Sequence, residues 1–477
     1  MKGIKTSILL FFIFSVSLFS EEIKKTTQDI KHVKYIFLMI GDGMGTMQRH
    51  CAEAYKKSKS GAQNAKLLMN TFPAKGFTST LNVEKKITDS AAAGTALACG
   101  EKTENKLIGM GPIGKCKLKS IAYSAKERGM KVGIISNVPV DHATPAAFYA
   151  TVPSRHMYYQ IAMSIPKSKF DFIGGDGSLG ENEAHNKMSP VKNAQEKGYI
   201  VIRKKKKLAS LKNTNDQKIL SLCKLKYQMD IKAKKDLTLT ELTEAAIKSL
   251  DNPKGFFLMV EGGKIDWACH RNDSAGCITE TIAFDNAVKA AYDFYLKHPE
   301  NTLIVVTADH ETGGMLQTEG GQEKFDSKIP EINLASIIDE QKMSIEKFYY
   351  CYVSKWKKNK ISFDKALKEI KDILGLKDLT QEETAKIKKA FDILMTEKNK
   401  TNRPPELVKM YGSRNPVCIE CSRIISERCG ITWTRLKHTG APVTTTAIGK
   451  DSEFFKGEYE NTTLSDLIRA AIISTKK

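Results

Sequence analysis

Beyond its first twenty residues the chain has no apolar run long enough to cross a bilayer, which excludes a polytopic membrane protein. Cysteine is sparse, ten among 477 residues, and a chain of this length buries a core without a disulfide scaffold, so small secreted knots are excluded as well. No heptad pattern, Gly-X-Y period or internal repeat is present, which removes coiled coils and collagen. Acidic residues are the scarcer charge, 54 Asp+Glu against 75 Lys+Arg, leaving a net charge of +21. Such a balance invites nucleic acid, yet there is no aromatic-interleaved basic stripe, zinc-finger spacing or RNP-like segment, and the lysines are spread along the chain, including stretches such as Arg203 to Lys207. They read as solvated faces, and no specific nucleic-acid partner is expected. A composition of 41% hydrophobic and 27% charged residues is that of a folded globular chain. Its length suits one large α/β domain with an insertion, or two to three ordinary domains.

The N-terminus has its own character. Lys2 and Lys5 precede an apolar stretch from Ile8 to Phe19, and Ser20 stands before the charged run Glu21, Glu22, Lys24, Lys25. That pattern predicts a secretory signal peptide over residues 1–20 and a destination outside the cytoplasm, periplasmic or secreted, with no stable membrane span after cleavage. Export makes disulfides the expectation for Cys418, Cys421 and Cys429, with Cys99 and Cys116 a further possible pair. The connectivity is open.

Four short runs rich in β-branched and aromatic residues predict buried parallel strands: Tyr35–Ile40, Val132–Ile135, Phe256–Val260 and Leu303–Val306. Helical patterns such as Ser120–Arg128, Thr240–Leu250 and Thr279–Leu296 lie between them. The alternation predicts an α/β fold, a central mostly parallel sheet with helices on both faces. A Lys- and Glu-rich stretch over 320–432 has helical periodicity and no strand-then-acid pattern. It reads as a mostly helical insertion or lid within a catalytic domain formed by 21–319 and 433–477.

Each predicted strand leads into chemistry. The first gives Gly41-Asp42-Gly43, the second Asp141-His142-Ala143-Thr144, the third Glu261-Gly262-Gly263-Lys264-Ile265-Asp266 with His270, and the fourth Ala308-Asp309-His310. Open α/β sheets bind ligands beyond the carboxyl ends of their strands, so these acids and imidazoles are expected at one edge. Asp266 and His270, four apart, can aim at one ion from one helical turn, and His438 lies in a short loop before Gly440. Carboxylates and imidazoles without thiolates suit Zn²⁺ with a neighbouring Mg²⁺. Ser90, at a small-residue helix start, is set for a nucleophile where free backbone N–H groups attract an anion. Arg155 offers a planar fork for two phosphoryl oxygens.

Taken together, Gly41-Asp42-Gly43-Met44-Gly45, Thr88-Asp89-Ser90-Ala91-Ala92, His142-Ala143-Thr144-Pro145-Ala146-Ala147, Val260-Glu261-Gly262-Gly263-Lys264-Ile265-Asp266-Trp267, Thr307-Ala308-Asp309-His310-Glu311-Thr312-Gly313-Gly314 and His438-Thr439-Gly440 resemble the motifs of alkaline phosphatases, in that family's order and over residues 33 to 475. The resemblance implies a metal-dependent phosphomonoesterase acting on small-molecule phosphate monoesters through a phosphoserine at Ser90, with Arg155 clamping the phosphate. It implies two Zn²⁺ and one Mg²⁺: the first zinc on Asp266, His270 and His438, the second on Asp42, Asp309, His310 and the attacking Ser90, and the magnesium on Asp42, Thr144 and Glu261 with His142 in its surroundings. It also implies a homodimer. Six positive charges against the carboxylates Asp42, Glu261, Asp266 and Asp309 leave a surplus of two, which matches a phosphate dianion.

Two positions depart from the commoner pattern. His142 replaces an aspartate found in some members, and Trp267 a lysine or histidine. The pair resembles one bacterial branch, which widens the third-site choice to Co²⁺ or Zn²⁺. Rival readings are a phosphodiesterase or nucleotide pyrophosphatase of the same superfamily and a non-catalytic phosphate-binding protein. A sulfatase would need a Cys/Ser-x-Pro-x-Arg segment, whereas Ala91-Ala92-Ala93 follow Ser90.

Overall fold

The computed structural model describes residues 29–211, 217–232, 234–319, 322–323, 334–397 and 402–474. Residues 1–20, where a signal peptide is expected, lie outside them. No described helix is long and apolar enough to cross a membrane.

At the centre Tyr35–Ile40 pairs in parallel with Phe256–Glu261 on one side and Thr302–Thr307 on the other. All three strands are buried on both faces, which is why their sequences are unbroken apolar runs. From edge to edge the ten-stranded sheet runs Gly457–Glu460, Ala74–Ser79, Val443–Gly449, Thr302–Thr307, Tyr35–Ile40, Phe256–Glu261, Lys131–Ser136, Phe172–Gly174, Lys218–Ser221, Tyr199–Ile202. Val443–Gly449 is antiparallel to both neighbours, and the remaining pairs are parallel. The predicted mostly parallel α/β sheet is therefore what forms, with all four predicted strands at its middle.

Side chains alternate between two cores. Tyr35, Phe37 and Met39 point toward the helices Leu239–Leu250 and Ser274–Tyr295, while Ile36, Leu38 and Ile40 point toward Ser90–Cys99, Ile121–Glu127 and Asn461–Ile473. The described part of 334–428 is helical, including Phe363–Leu374, Gln381–Thr396 and Pro416–Arg428. Its Phe348, Trp356, Ile370 and Phe391 join the first of these cores, so the segment is packed onto the helix layer.

The register matters most for function. Ile40 stands opposite both Glu261 and Thr307, and Ser136 opposite Glu261. Four strands thus end level, and the residues just beyond them emerge in one row.

The expected disulfides are absent, and all ten cysteines are free thiols. Cys418 and Cys421 lie on one helix, three residues apart, where β-carbons are ~5–6 Å from each other and a disulfide needs ~3.5–4.5 Å. Both are buried among apolar neighbours and act as small hydrophobes. Cys269 and Cys277 come within 3.4 Å, a thiol hydrogen bond with no covalent link.

Candidate metal and phosphoryl site

Glu261 closes its strand, Asp42, Asp309 and His310 come two or three positions past the ends of theirs, and all four are fully buried. The turn at Gly43 has φ 71°, and a side chain there would strike Asp266 Cα and Cβ at 2.9 Å. Glycine lets the loop close over the site, where the Gly43 N–H donates to Asp309 Oδ1 at 3.1 Å. Asp266 sits in the helix Lys264–Cys269 and His270 caps it, one helical turn apart. His438 arrives on a two-residue strand paired with Thr312.

The imidazoles are oriented from behind. His270 Nδ1 meets the Leu436 carbonyl at 2.8 Å and His438 Nδ1 the Thr88 carbonyl at 2.9 Å, which leaves both Nε2 atoms facing the site. Those two Nε2 atoms are 3.1 Å apart, and Asp266 Oδ1 lies 3.4 Å from one and 3.6 Å from the other. Ligands at ~2.0–2.1 Å on one tetrahedral zinc stand roughly 3.3 Å from each other, so the three atoms match one face of such a site. His310 Nε2 is 3.3 Å from Asp309 Oδ2 and 3.6 Å from Asp42 Oδ1, a second set. Asp42, His142 and Glu261 form a third, with the Thr144 hydroxyl 3.5 Å from Asp42 Oδ2. Asp266 also comes within reach of Asp42 and His310, so the first two sets adjoin.

Electrostatically the cluster is unbalanced as protein alone. Asp42 Oδ1, Asp309 Oδ2, both Glu261 oxygens and His142 Nδ1 are buried without a hydrogen-bond partner. Burial, with Asp309 adding repulsion, pushes the Glu261 carboxyl up to about 8. Burial and then Asp266 push Asp309 up to about 7, and burial with three carboxylate neighbours raises Asp42 well above its usual range. Burial works upward on Asp266 too, but the His270, His438 and His310 imidazoles more than reverse it, and its carboxyl ends below the ordinary value. Burial and then Arg155 lower His142 to about 3, and burial with His438 depresses His310. Neutral imidazoles, orphaned carboxylate oxygens and no thiolate are the donor set of hard and borderline cations, so the residues fit metal ions.

Ser90 is the first residue of the helix Ser90–Cys99, capped by Asp89, whose side chain accepts from the Ala92 N–H. Its Oγ is 3.2 Å from His310 Nε2. Arg155 reaches the same place: Nη1 is 3.2 Å from Asp89 Oδ2 and Nη2 3.4 Å from His142 Nε2. The structure thus brings all eleven sequence-predicted residues to one end of the sheet, and Trp267 stands edge-on to His142 at 5.9 Å between ring centres.

Sequence reasoning missed other contributors. Thr312 Oγ1 donates to Asp266 Oδ1 at 2.6 Å and faces His310 Nδ1 at 3.2 Å, a positioning role hinted at only by its place in the Thr307–Gly314 motif. Arg271, Glu346, Tyr350 and Arg414 join Ser90, Arg155 and the histidines in lining a cavity of about 360 Å³. Arg271 is signalled only by its neighbour His270, and Glu346, Tyr350 and Arg414 stand in no motif that would mark such a place.

The comparisons with known proteins agree with this site. The alkaline phosphatase family model matches residues 33–189 and 180–473. Alkaline phosphatase 4 of Bacillus subtilis is 32% identical over 94% of this chain and 91% of its own, and alkaline phosphatase 3 of the same organism is 32% identical over 95% and 91%. Among solved structures, a cold-active alkaline phosphatase from a psychrophilic Shewanella is similar with TM-score 0.74 and 29% identity, over 92% of this chain and 99% of that one. The Thermus thermophilus alkaline phosphatase shares the fold with TM-score 0.79 at 24% identity, over 92% and 91%. The chain belongs to the alkaline phosphatase family, and it is a phosphomonoesterase.

Proposed function

We propose that the chain, exported and dimeric, hydrolyses small-molecule phosphate monoesters in two displacements through a phosphoserine at Ser90. The observation that carries the reading is Ser90 Oγ at a helix N-terminus, 3.2 Å from His310 Nε2 and beside the Arg155 fork. Asp266, His270 and His438 would hold one zinc, and Asp42, Asp309 and His310 another. Asp42, Glu261 and Thr144, with His142 alongside, would hold magnesium, or cobalt or zinc in its place. Bound there, the ions supply positive charge to the oxygens that attack and leave phosphorus.

The chain's own residues do the rest. Ser90 Oγ forms the bond to phosphorus as the ester oxygen departs with its electron pair, and water later breaks the Oγ–P bond to release phosphate and restore the hydroxyl. The Arg155 guanidinium presents two parallel N–H donors to nonbridging phosphoryl oxygens and draws charge off them. Asp89 orients that fork while capping the Ser90 helix, so nucleophile and clamp share one support. His142, held neutral, crowds the Arg155 side of the site without adding negative charge near the phosphate.

The test is turnover of an aryl phosphate monoester against the matching diester, using zinc- and magnesium-loaded protein at pH 8–10, with Ser90→Ala beside it. Monoester preference is expected, with kcat/KM falling at least ~10³-fold in Ser90→Ala. Acid quenching should trap phosphate on the Ser90 peptide, read by mass spectrometry. A preference for the diester, or full activity in Ser90→Ala, would overturn the reading.

A further inference from the structure

A second cavity, of about 150 Å³, adjoins the first and shares Arg271, Tyr350 and Arg414 with it. At ~30 Å³ per water it has room for about five waters, enough for one small ionised group. Its back wall is the start of the thirteen-residue helix Pro416–Arg428, whose cap is Asn415.

Three features there point to an anion. Asn415 is only 6% exposed, its Oδ1 accepts the Cys418 N–H at 3.2 Å, and its Nδ2 is a buried donor without a partner. Because the cap bond occupies the oxygen, the amide cannot be turned round to remove that donor. Arg414, which lines both cavities, makes no ion pair or side-chain hydrogen bond among the described residues. The helix N-terminus adds its own positive end. Arg271, by contrast, is already paired with Glu346 at 3.0 Å and serves as a fixed edge.

The backbone that carries Arg414 is held in place. The buried Arg403 donates to the Gly412 and Arg414 carbonyls, at 2.6 and 2.8 Å, while its other nitrogens hold Glu397. The Arg414 N–H returns to the Tyr411 carbonyl at 2.8 Å. A surface arginine needs no such backbone clamp.

We infer that Arg414 and Asn415 form a leaving-group subsite, and that the preferred substrates are phosphate monoesters carrying a second anionic group, phosphate or carboxylate, on the departing alcohol. This rests on the phosphomonoesterase reading of the neighbouring cavity. A charge-assisted pair formed by the leaving group alone raises kcat/KM for such esters over those whose departing alcohol is uncharged.

The test compares kcat/KM for α,ω-alkanediol bisphosphates and phospho-ω-carboxylates with n-alkyl phosphates of equal chain length. In the parent protein the esters that carry the second anionic group should lead by about tenfold or more at one chain length. That lead should vanish in Arg414→Gln and shrink in Asn415→Asp, which keeps the cap acceptor but replaces the donor with a charge. Lys358→Gln, an exposed lysine of the same segment, controls for the diffuse positive field and should leave the lead intact. Equal rates for both ester classes at every length, a lead untouched by Arg414→Gln, or one lost equally in Lys358→Gln would overturn the subsite while aryl monoester turnover still stands. Failure to hydrolyse any monoester would instead overturn the phosphomonoesterase reading, and the subsite with it. A lead for bisphosphates only, or carboxylates only, would support the subsite and name the group it takes.

Discussion

Beneath the cavity lie the strand ends, part of its rim (Glu346, Tyr350 and Arg414) comes from the described part of 334–428, and the two are built on different principles. On the floor, position is set by register: Ile40, Glu261 and Thr307 are level, so the acids beyond them have nowhere else to go. On the rim, position is set by side chains that hold backbone, as Arg403 holds Gly412 and Arg414. A floor fixed by a hydrogen-bonded ladder tolerates a dense, self-repelling carboxylate cluster, because six buried residues per strand anchor each acid. A rim fixed by a few polar contacts is free to vary in which leaving group it meets.

The sharpest way to break this contrast is to remove one floor ligand. Asp266→Asn keeps the shape but deletes the charge that faces His270 and His438. Loss of a partner one step removed from a metal typically costs ten- to a hundredfold, so this change is expected to lower kcat/KM by more than about a hundredfold. Bound zinc, measured by atomic emission, should fall by one per chain while the sheet stays folded by circular dichroism. Full zinc content with unaltered turnover would mean that the floor is not the metal site.

Substituting Arg403→Met tests the rim. The guanidinium is buried and paired with Glu397, and breaking such a pair strands a carboxylate, at a cost of about 3 kcal/mol. The expected result is a lower Tm with aryl phosphate turnover changed less than tenfold below the melt. If instead activity collapses with the rim, floor and rim are one cooperative unit and the contrast fails.

The same division explains what could be read from the amino-acid sequence. The four central strands announce themselves because both faces are buried, whereas Ala74–Ser79 hides its role behind the exposed Lys75 and Phe77 of an alternating strand. Phe172–Gly174 is simply too short to stand out. Asp42, Glu261 and Asp309 are legible because each closes a buried strand or follows it within two positions, and Asp266 because it shares a motif with Glu261. Arg414 and Asn415 are not, since nothing local separates one arginine from the 75 basic residues of the chain. Cys418 and Cys421 mislead for a related reason: spacing on the page suggests pairing, and only the helix reveals that both serve as packing.

The smallest expected effect lies at the seam between the two regions. Glu280, on the helix Ser274–Tyr295, accepts from the Asn137 amide beside the floor and from the Gln228 N–H beneath the rim. Burial pushes its carboxyl up from 4.5 to about 7, against the opposing pull of those donors and Lys264. The folded chain therefore holds a proton there that the unfolded chain has released, and stability falls as pH rises through the window between 4.5 and 7. Below that window both states are protonated and the group contributes nothing. Glu280→Gln removes the titration but sets one amide against another at Asn137, whose own oxygen is committed to the Lys264 N–H at 3.1 Å. That clash is independent of pH, so the sign of the Tm change at a single pH decides nothing. The slope does: the Tm of Glu280→Gln minus that of the parent should increase from pH 5 to pH 8, by no more than a few degrees. A flat difference would mean that Glu280 stays ionised throughout, and that Asn137, Gln228 and Lys264 together outweigh its burial at the seam.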